Sequence, residues 1–197
     1  MKARPVPGLD PDGTLADNAE RIVRARLDEL CGFMPRAADP AQVEALHDMR
    51  IAAKRLRYIL ELTAPCFGPY AAKAARQVKD VQDLLGEIHD CDVQEPEAAA
   101  FAERLLAADA AALQAAAPGA PDLDPALLRD APHARDHAGV AALRAHLRAR
   151  RALLFDRFLT LWADLERKGL RARLMYAVGE RPAGRSQFRA GVESASS

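Results

Sequence analysis

Residues 47–62 read HDMRIAAKRLRYILEL, and the spacing of the apolar side chains around this stretch predicts an α-helix. An α-helix turns by about 100° per residue, so apolar residues three and four positions apart share one face. The following residues form that stripe: Leu46, Met49, Ala53, Leu56 and Leu60. A stripe of this kind is stable only when other helices cover it, so the stretch predicts a helical bundle.

The composition of the whole chain also favours helices over strands. Half of the 197 residues are hydrophobic, yet only 5% are aromatic, and alanine alone supplies 43. Alanine has the highest helix propensity, whereas aromatic and β-branched residues are the typical strand formers. We therefore expect an all-α fold, an antiparallel helical bundle of about four to six helices.

Capping residues, prolines and glycines divide the chain into helices. Thr14, followed three residues later by Asp17, resembles a capping box and predicts a helix to about residue 31. Asp39 before Pro40 predicts the start of a second helix, ending near residue 62. The remaining capping residues, prolines and glycines predict helices over about residues 70–89, 96–117, 125–129, 139–168 and 170–177.

Three parts of the chain are expected to behave differently. Residues 1–13 carry prolines and glycines and predict an extended lead. Residues 14–178 form the helical domain, and residues 179–197 are rich in Gly, Ser and Arg, a composition typical of disorder.

Several protein classes are disfavoured by the sequence. No stretch approaches 18 uncharged apolar residues, which excludes a membrane-spanning helix, and the N-terminus lacks the apolar core of a secretory signal. Cys31, Cys66 and Cys91 are too widely spaced for a zinc or disulfide pattern and suggest a reducing compartment. We therefore expect a cytoplasmic protein.

The cations of the helix over residues 47–62 form a narrow basic strip beside its apolar stripe. In projection, His47, Arg50, Lys54 and Arg57 fall within about 80° of one another, with Glu61 as the one acid in the strip. A solvated charged face usually lies opposite the apolar face and mixes signs. Like charges four residues apart repel each other by a few tenths of a kcal/mol. Something negative is therefore expected to compensate this strip.

Two sources of negative charge are open. The next predicted helix carries acids within about 80° that could form salt bridges to the strip. These are Asp80, Asp83, Glu87 and Asp90. The other source is a phosphate ligand, because arginine binds phosphate bidentately, lysine binds it as a point charge, and histidine titrates near neutrality.

The formal net charge of zero conceals blocks of opposite sign. Residues 47–79 hold seven cations and two acids, a net charge of +5, while residues 80–109 hold nine acids and one arginine, a net charge of −8. Residues 129–173 hold eleven cations and five acids, a net charge of +6. Within this last block Arg144, Arg148 and Arg151 fall within about 60° and predict a second basic stripe.

The run HDMRIAAKRLRYILEL, followed by KDVQDLLGEIHDCDV at residues 79–93, resembles the CHAD family, the conserved-histidine α-helical domain. The resemblance covers about residues 14–93, and LRAHLRARRALLFDRFLTLW at residues 143–162 has a similar character. It implies an all-helical domain that binds inorganic polyphosphate through a basic surface. It also implies association with polyphosphate- or triphosphate-metabolising enzymes and with polyphosphate granules.

The resemblance also implies which residues contact phosphate. Those that match the basic motif of the family are His47, Arg50, Lys54, Arg55 and Arg57, and His89 matches a position in the second run that is often histidine or asparagine. Further contacts are expected by charge alone at Arg21, Arg24, Lys73, Arg76, Lys79, Arg144, Arg148 and Arg151. No catalytic residue, metal or cofactor is expected.

The chain departs from the family pattern in one respect. Family members commonly hold two helical halves, related by an approximate two-fold axis, that enclose a basic channel. This chain carries one copy of the His-x-x-Arg-x-x-x-Lys run, at residues 47–54. We therefore expect two chains to pair as a homodimer that restores the channel.

Two other functions compete with phosphate binding. A metal-dependent phosphohydrolase would use His47-Asp48 and His89-Asp90, with oxygen ligands from Asp83 and Glu87. Asp48 projects about 100° away from His47, however, and the cations beside His47 oppose a metal ion there. A nucleic-acid phosphate-backbone binder would use the same cations, but the chain lacks an aromatic stacking platform and is neutral overall.

Overall fold

The computed structural model describes residues 2–180, and within that range every regular element is a helix. Five α-helices follow one another: α1 (Leu15–Cys31), α2 (Val43–Leu62), α3 (Pro69–Ala116), α4 (Asp136–Arg167) and α5 (Leu170–Gly179). Short 3-10 helices occupy Arg36–Ala38, Ala64–Cys66 and Pro125–Asp130. The prediction of an all-α helical fold is confirmed. No described helix is both long enough and apolar enough to cross a membrane.

Local signals in the sequence set several of the helix ends. Thr14 caps α1, because its hydroxyl oxygen accepts a hydrogen bond from the backbone N–H of Asp17 at 3.1 Å. Asp124 caps the third 3-10 helix by accepting from the N–H of Ala126 at 2.8 Å. Gly169 separates α4 from α5 with φ of +70°, a left-handed conformation that favours glycine. These three boundaries were predicted correctly.

The predicted start of α2 at Pro40 was wrong. The carboxylate of Asp39 does accept a hydrogen bond from the backbone N–H of Ala41, at 2.9 Å, but the chain turns there instead of entering the helix. The helix begins at Val43, with Gln42 before it. Asp39 therefore closes a local turn, the alternative use that this side chain has for the same hydrogen bond.

The predicted break between residues 90 and 95 was also wrong, because α3 runs without interruption past Pro96. A proline inside a helix removes one backbone hydrogen bond, the one to the carbonyl four residues earlier. The buried face nevertheless continues on both sides, with Cys91 and Ala98 at 1% and 9% exposure. Tertiary burial on both sides of the proline therefore outweighs the local helix-breaking signal.

The described residues divide into two compact units. Unit 1 comprises residues 2–85 and 158–180, so it holds α1, α2, α5, the first part of α3 and the last part of α4. The predicted stripe of α2 is buried there, with all five members at 2% exposure or less. From the other helices Val23, Leu27, Phe158 and Leu174 are fully buried.

A buried carboxylate stabilises unit 1 near its N-terminus. Glu29, at 1% exposure, forms ion pairs with Arg26 and with Arg55, the latter at 3.2 Å. The N-terminal segment joins this cluster, because Arg26 donates a hydrogen bond to the carbonyl of Arg4 at 2.6 Å. Glu29 therefore links α1, α2 and the segment before α1.

Unit 2 comprises Gly86–Arg157 and is an antiparallel hairpin of α3 and α4. Its contacts show the antiparallel register, since Glu87 pairs with Arg150 near one end and Asp109 with His137 near the other. Its buried apolar side chains include Ile88, Leu105, Leu147, Leu154 and Phe155. The C-terminal tail predicted for residues 179–197 lies outside the described residues from 181 onward.

Candidate anion-binding site

The basic strip of α2 lies at the edge of the buried stripe, as its projection predicts. Arg50 and Arg57 are half-buried, while Lys54 is exposed. The guanidinium carbon of Arg57 lies 4.6 Å from the centroid of the Tyr58 ring, and its Nε lies 3.5 Å from Glu61 Oε1. Lys54 Nζ lies 5.8 Å from the same ring centroid. Tyr58 therefore packs beside two cations of the strip.

Arg50 is the strip residue with the least compensation from the protein. Its Nε atom is buried and has no hydrogen-bond partner in the described part of the chain. Neither Arg50 nor Lys54 forms an ion pair with any carboxylate of residues 2–180. A buried donor that lacks an acceptor destabilises the protein, because no hydrogen bond offsets the loss of its hydration.

The acids of α3 do not compensate these two cations. Asp83 pairs with Lys79 on its own helix, and Glu87 pairs with Arg150 of α4 at 2.7 Å. The interpretation in which α3 neutralises the strip is therefore wrong for Arg50 and Lys54. Asp83 has its partner four residues earlier on the same helix, and Glu87 has its partner on the facing helix of the hairpin.

The other predicted cations of unit 1 fall into two groups. Those with carboxylate partners are Arg24 with Glu20 at 2.8 Å, Arg55 with Glu29 at 3.2 Å, and Lys79 with Asp83. Those without a carboxylate partner among the described residues, besides Arg50 and Lys54, are Arg21, Lys73 and Arg76, all exposed. The side chain of Arg21 instead donates to Asn18 Oδ1 at 3.3 Å.

The two predicted histidines lie in different units. His47 is half-buried on α2 in unit 1, and His89 is half-buried on α3 in unit 2.

Two residues not predicted as ligands also carry buried polar atoms in unit 1. The Oε1 atoms of Gln77 and Gln82 on α3 are buried without a hydrogen-bond partner in the described residues. Their only signal in the sequence is an amide close to the apolar positions of a helix.

The second basic stripe, predicted from Arg144, Arg148 and Arg151, is a set of ion pairs. Arg144 and Arg148 both contact Glu95 Oε1, at 3.0 and 2.8 Å, and Arg151 pairs with Asp92. The hydrogen bond from Arg144 lowers the pKa of Glu95, burial opposes it, and Arg148 adds to the lowering. These arginines therefore stabilise the hairpin, a role that their spacing on α4 does not reveal.

The residues proposed for a metal-dependent alternative are not gathered into one site. Among the residues that the structure describes, no three His, Cys, Asp or Glu side chains come together in an arrangement that could hold a metal ion. Asp83 and Glu87, the expected oxygen ligands, form the ion pairs with Lys79 and Arg150 described above.

A family model of the CHAD domain matches residues 2–99. The matched segment includes α1, α2 and α3 as far as residue 99, and therefore the whole basic strip, while residues 143–162 lie outside it. No curated protein and no solved structure matches the chain. Over residues 2–99, this chain belongs to the CHAD domain family.

Proposed function

We propose that the chain binds inorganic polyphosphate, or a similar condensed phosphate, through the basic strip of α2, without chemistry of its own. The observation that carries the proposal is Arg50, a half-buried guanidinium whose buried Nε has no acceptor within residues 2–180. A phosphate oxygen is the acceptor that an arginine fork fits best, because two parallel N–H groups can bind one phosphate. Membership of the CHAD family supports the same ligand class.

The spacing of the strip suits a ligand that repeats its charge. Lys54 lies one helical turn after Arg50 and Arg57 nearly one turn further, about 6 and 4.5 Å along the axis. A condensed phosphate carries about one negative charge per phosphate, so a single chain can contact consecutive cations and release their counterions. His47, at the start of the strip, would donate a hydrogen bond, more strongly when it is protonated.

Other cations extend the strip to different degrees. Arg21, Lys73 and Arg76 have no carboxylate partner in the described residues, so their full charge is available to a polyanion. Arg24, Arg55 and Lys79 contribute less, because each shares its charge with a carboxylate. His89 remains a proposed contact because of its position in the motif. The α4 arginines are not among the proposed contacts, because each pairs with a carboxylate.

We further propose the setting that family membership suggests. The protein would act in the cytoplasm beside an enzyme that makes or cleaves polyphosphate or triphosphate, and would associate with polyphosphate granules. Recovery of the protein with isolated granules, lost in the variants described next, is the expected outcome.

The test is a calorimetric titration with long-chain polyphosphate and, separately, with duplex DNA over a series of salt concentrations. We expect polyphosphate to bind more tightly than DNA, with an affinity that falls steeply as salt rises. The triple variant Arg50→Ala, Lys54→Ala, Arg57→Ala should lose binding. The control Arg167→Ala removes an exposed arginine that pairs with Asp164 in the same unit and should bind as the wild type does.

Three results would contradict the proposal: equal binding by the triple variant, tighter binding of DNA, or release of phosphate from polyphosphate on addition of Mg²⁺ or Mn²⁺. The last would favour the phosphohydrolase instead.

A further inference from the structure

Unit 2 carries an open apolar groove between α3 and α4 that its own core does not fill. The groove measures about 430 Å³ and is lined by Ala98, Phe101, Val140, Leu143 and Leu147 among others. Ala98 and Leu147 form its buried floor, whereas Phe101 and Leu143 are 44% and 49% exposed. Exposed apolar side chains that cluster in one groove mark an interaction site more often than scattered ones do.

Two opposite charges lie on either side of Phe101 along α3. Glu97 lies four residues before Phe101 and Arg104 three residues after it, so all three share one face of α3 within about 60°. Neither Glu97 nor Arg104 forms an ion pair with any residue of the described range. Arg104 instead lies over the Phe101 ring, with its guanidinium carbon 5.5 Å from the ring centroid.

We propose that this groove is the interface with a second copy of the chain. A two-fold axis perpendicular to α3, passing midway between Glu97 and Arg104, sets α3 antiparallel to the α3 of the second copy. The two charged positions are about 10 Å apart along the helix, and the axis exchanges them. Each Glu97 then faces Arg104 of the other copy, while Phe101 and its counterpart meet near the axis.

The second copy fits this groove for a specific reason. A patch that carries opposite charges on the two sides of Phe101 is self-complementary, as a two-fold interface requires. Leu143 lines the same groove as Phe101, so the axis also brings the α4 helices together. Two such hairpins form a four-helix arrangement, which covers an apolar face that two helices leave open. The inference rests on the groove and does not depend on polyphosphate binding.

Sedimentation of the full chain over a concentration series tests the interface. We expect a reversible dimer, and Phe101→Glu should weaken the dimer by at least about tenfold because the change buries a carboxylate at its centre. Leu106→Glu is the matched control, since Leu106 is 51% exposed and lies about 140° around α3 from Phe101. Circular dichroism checks that both variants keep the helical content of the wild type.

A charge exchange tests the geometry itself. Glu97→Arg and Arg104→Glu should each weaken the dimer, because each places like charges opposite one another across the axis. The double variant Glu97→Arg, Arg104→Glu restores opposite charges and should recover most of the wild-type association. A wild-type chain that stays monomeric up to about 100 µM, a Phe101→Glu variant that associates like Leu106→Glu, or a double variant weaker than both singles would overturn the proposal.

Discussion

The basic strip of α2 and the arginines of α4 look alike in sequence and differ in what neutralises them. Both place arginines or lysines at helical spacing along one face. On α4, Arg144, Arg148 and Arg151 contact carboxylates of α3. On α2, Arg50 and Lys54 contact no carboxylate of residues 2–180. The α4 arginines thus stabilise a hairpin, whereas Arg50 and Lys54 of α2 have no carboxylate partner within residues 2–180.

A basic stripe therefore does not by itself identify an anion-binding surface. In an ion pair the carboxylate neutralises the arginine, so a phosphate could bind that arginine only by displacing the carboxylate. An uncompensated cation at the edge of a core destabilises the protein, because its desolvation and its repulsion by neighbouring cations are not offset. Binding of an external anion would offset both.

The largest effect is expected when the α2 strip is given the kind of partner that α4 already has. Lys54→Glu places a carboxylate four residues after Arg50, where Arg57 has Glu61. Polyphosphate affinity should fall about 100-fold, since two charge-assisted contacts of roughly 1.5 kcal/mol each are lost. The calorimetric control is Lys54→Gln, which removes one charge without pairing Arg50 and should fall by much less. Equal losses in both variants would show that pairing is not what matters.

The second effect concerns stability and should run in opposite directions in the two regions. Asp92→Asn leaves the partly buried Arg151 without its carboxylate and should lower the free energy of unfolding by about 1–3 kcal/mol. Arg50→Met removes an uncompensated charge and should leave stability unchanged or raise it by a few tenths of a kcal/mol. Urea unfolding measures both. A large destabilisation by Arg50→Met would mean that Arg50 is already compensated within the protein.

The third effect should appear when the α4 arginines are released. Glu95→Gln removes the carboxylate that Arg144 and Arg148 share, and Arg148 is already 66% exposed. Polyphosphate affinity should then rise by about three- to fivefold, because two further cations become available. Glu103→Gln is the control, as it removes an exposed acid of the same helix that pairs with no arginine of the described range. The same rise in both variants would point to net charge instead of release.

The smallest effect is a pH dependence of stability in unit 2. The hydrogen bond from Arg144, opposed by burial and aided by Arg148, holds the pKa of Glu95 below its ordinary value of 4.5. A carboxyl group with a lowered pKa in the folded state stabilises the fold above its ordinary pKa, and that contribution disappears as pH falls through the folded value. The stability gap between the wild type and Glu95→Gln should therefore narrow from about pH 6 to about pH 3. A constant gap would contradict this assignment.

Much of the fold follows from local signals in the sequence. The periodicity of α2, the cap at Thr14 and the stop at Gly169 depend on neighbours along the chain, and each was predicted correctly. The break before Pro96 was predicted wrongly because the helix is sustained by burial on both sides of the proline, which depends on residues distant in sequence. Local rules therefore failed where tertiary packing opposed them.

The placement of the α2 cations on one strip was predictable, but their ion pairs were not. The sequence indicates that Arg50, Lys54 and Arg57 share a strip, because helical geometry alone fixes that. Which acid pairs with which arginine depends on how the helices pack. The sequence therefore does not show whether Arg50 or Arg144 has a carboxylate partner. The ion pairs of Glu95 and Asp92, together with the buried Nε of Arg50, distinguish the two regions.

The measurement that tests this contrast most directly compares two double variants by calorimetry with long-chain polyphosphate at one ionic strength. Arg50→Ala, Lys54→Ala removes two uncompensated cations, and Arg148→Ala, Arg150→Ala removes two that pair with Glu95 and Glu87. Both change the net charge equally, so general electrostatics predicts equal losses. We predict a loss of about 100-fold for the α2 variant and at most about twofold for the α4 variant. Equal losses, or a larger loss in the α4 variant, would contradict the assignment of the α2 strip as the phosphate site.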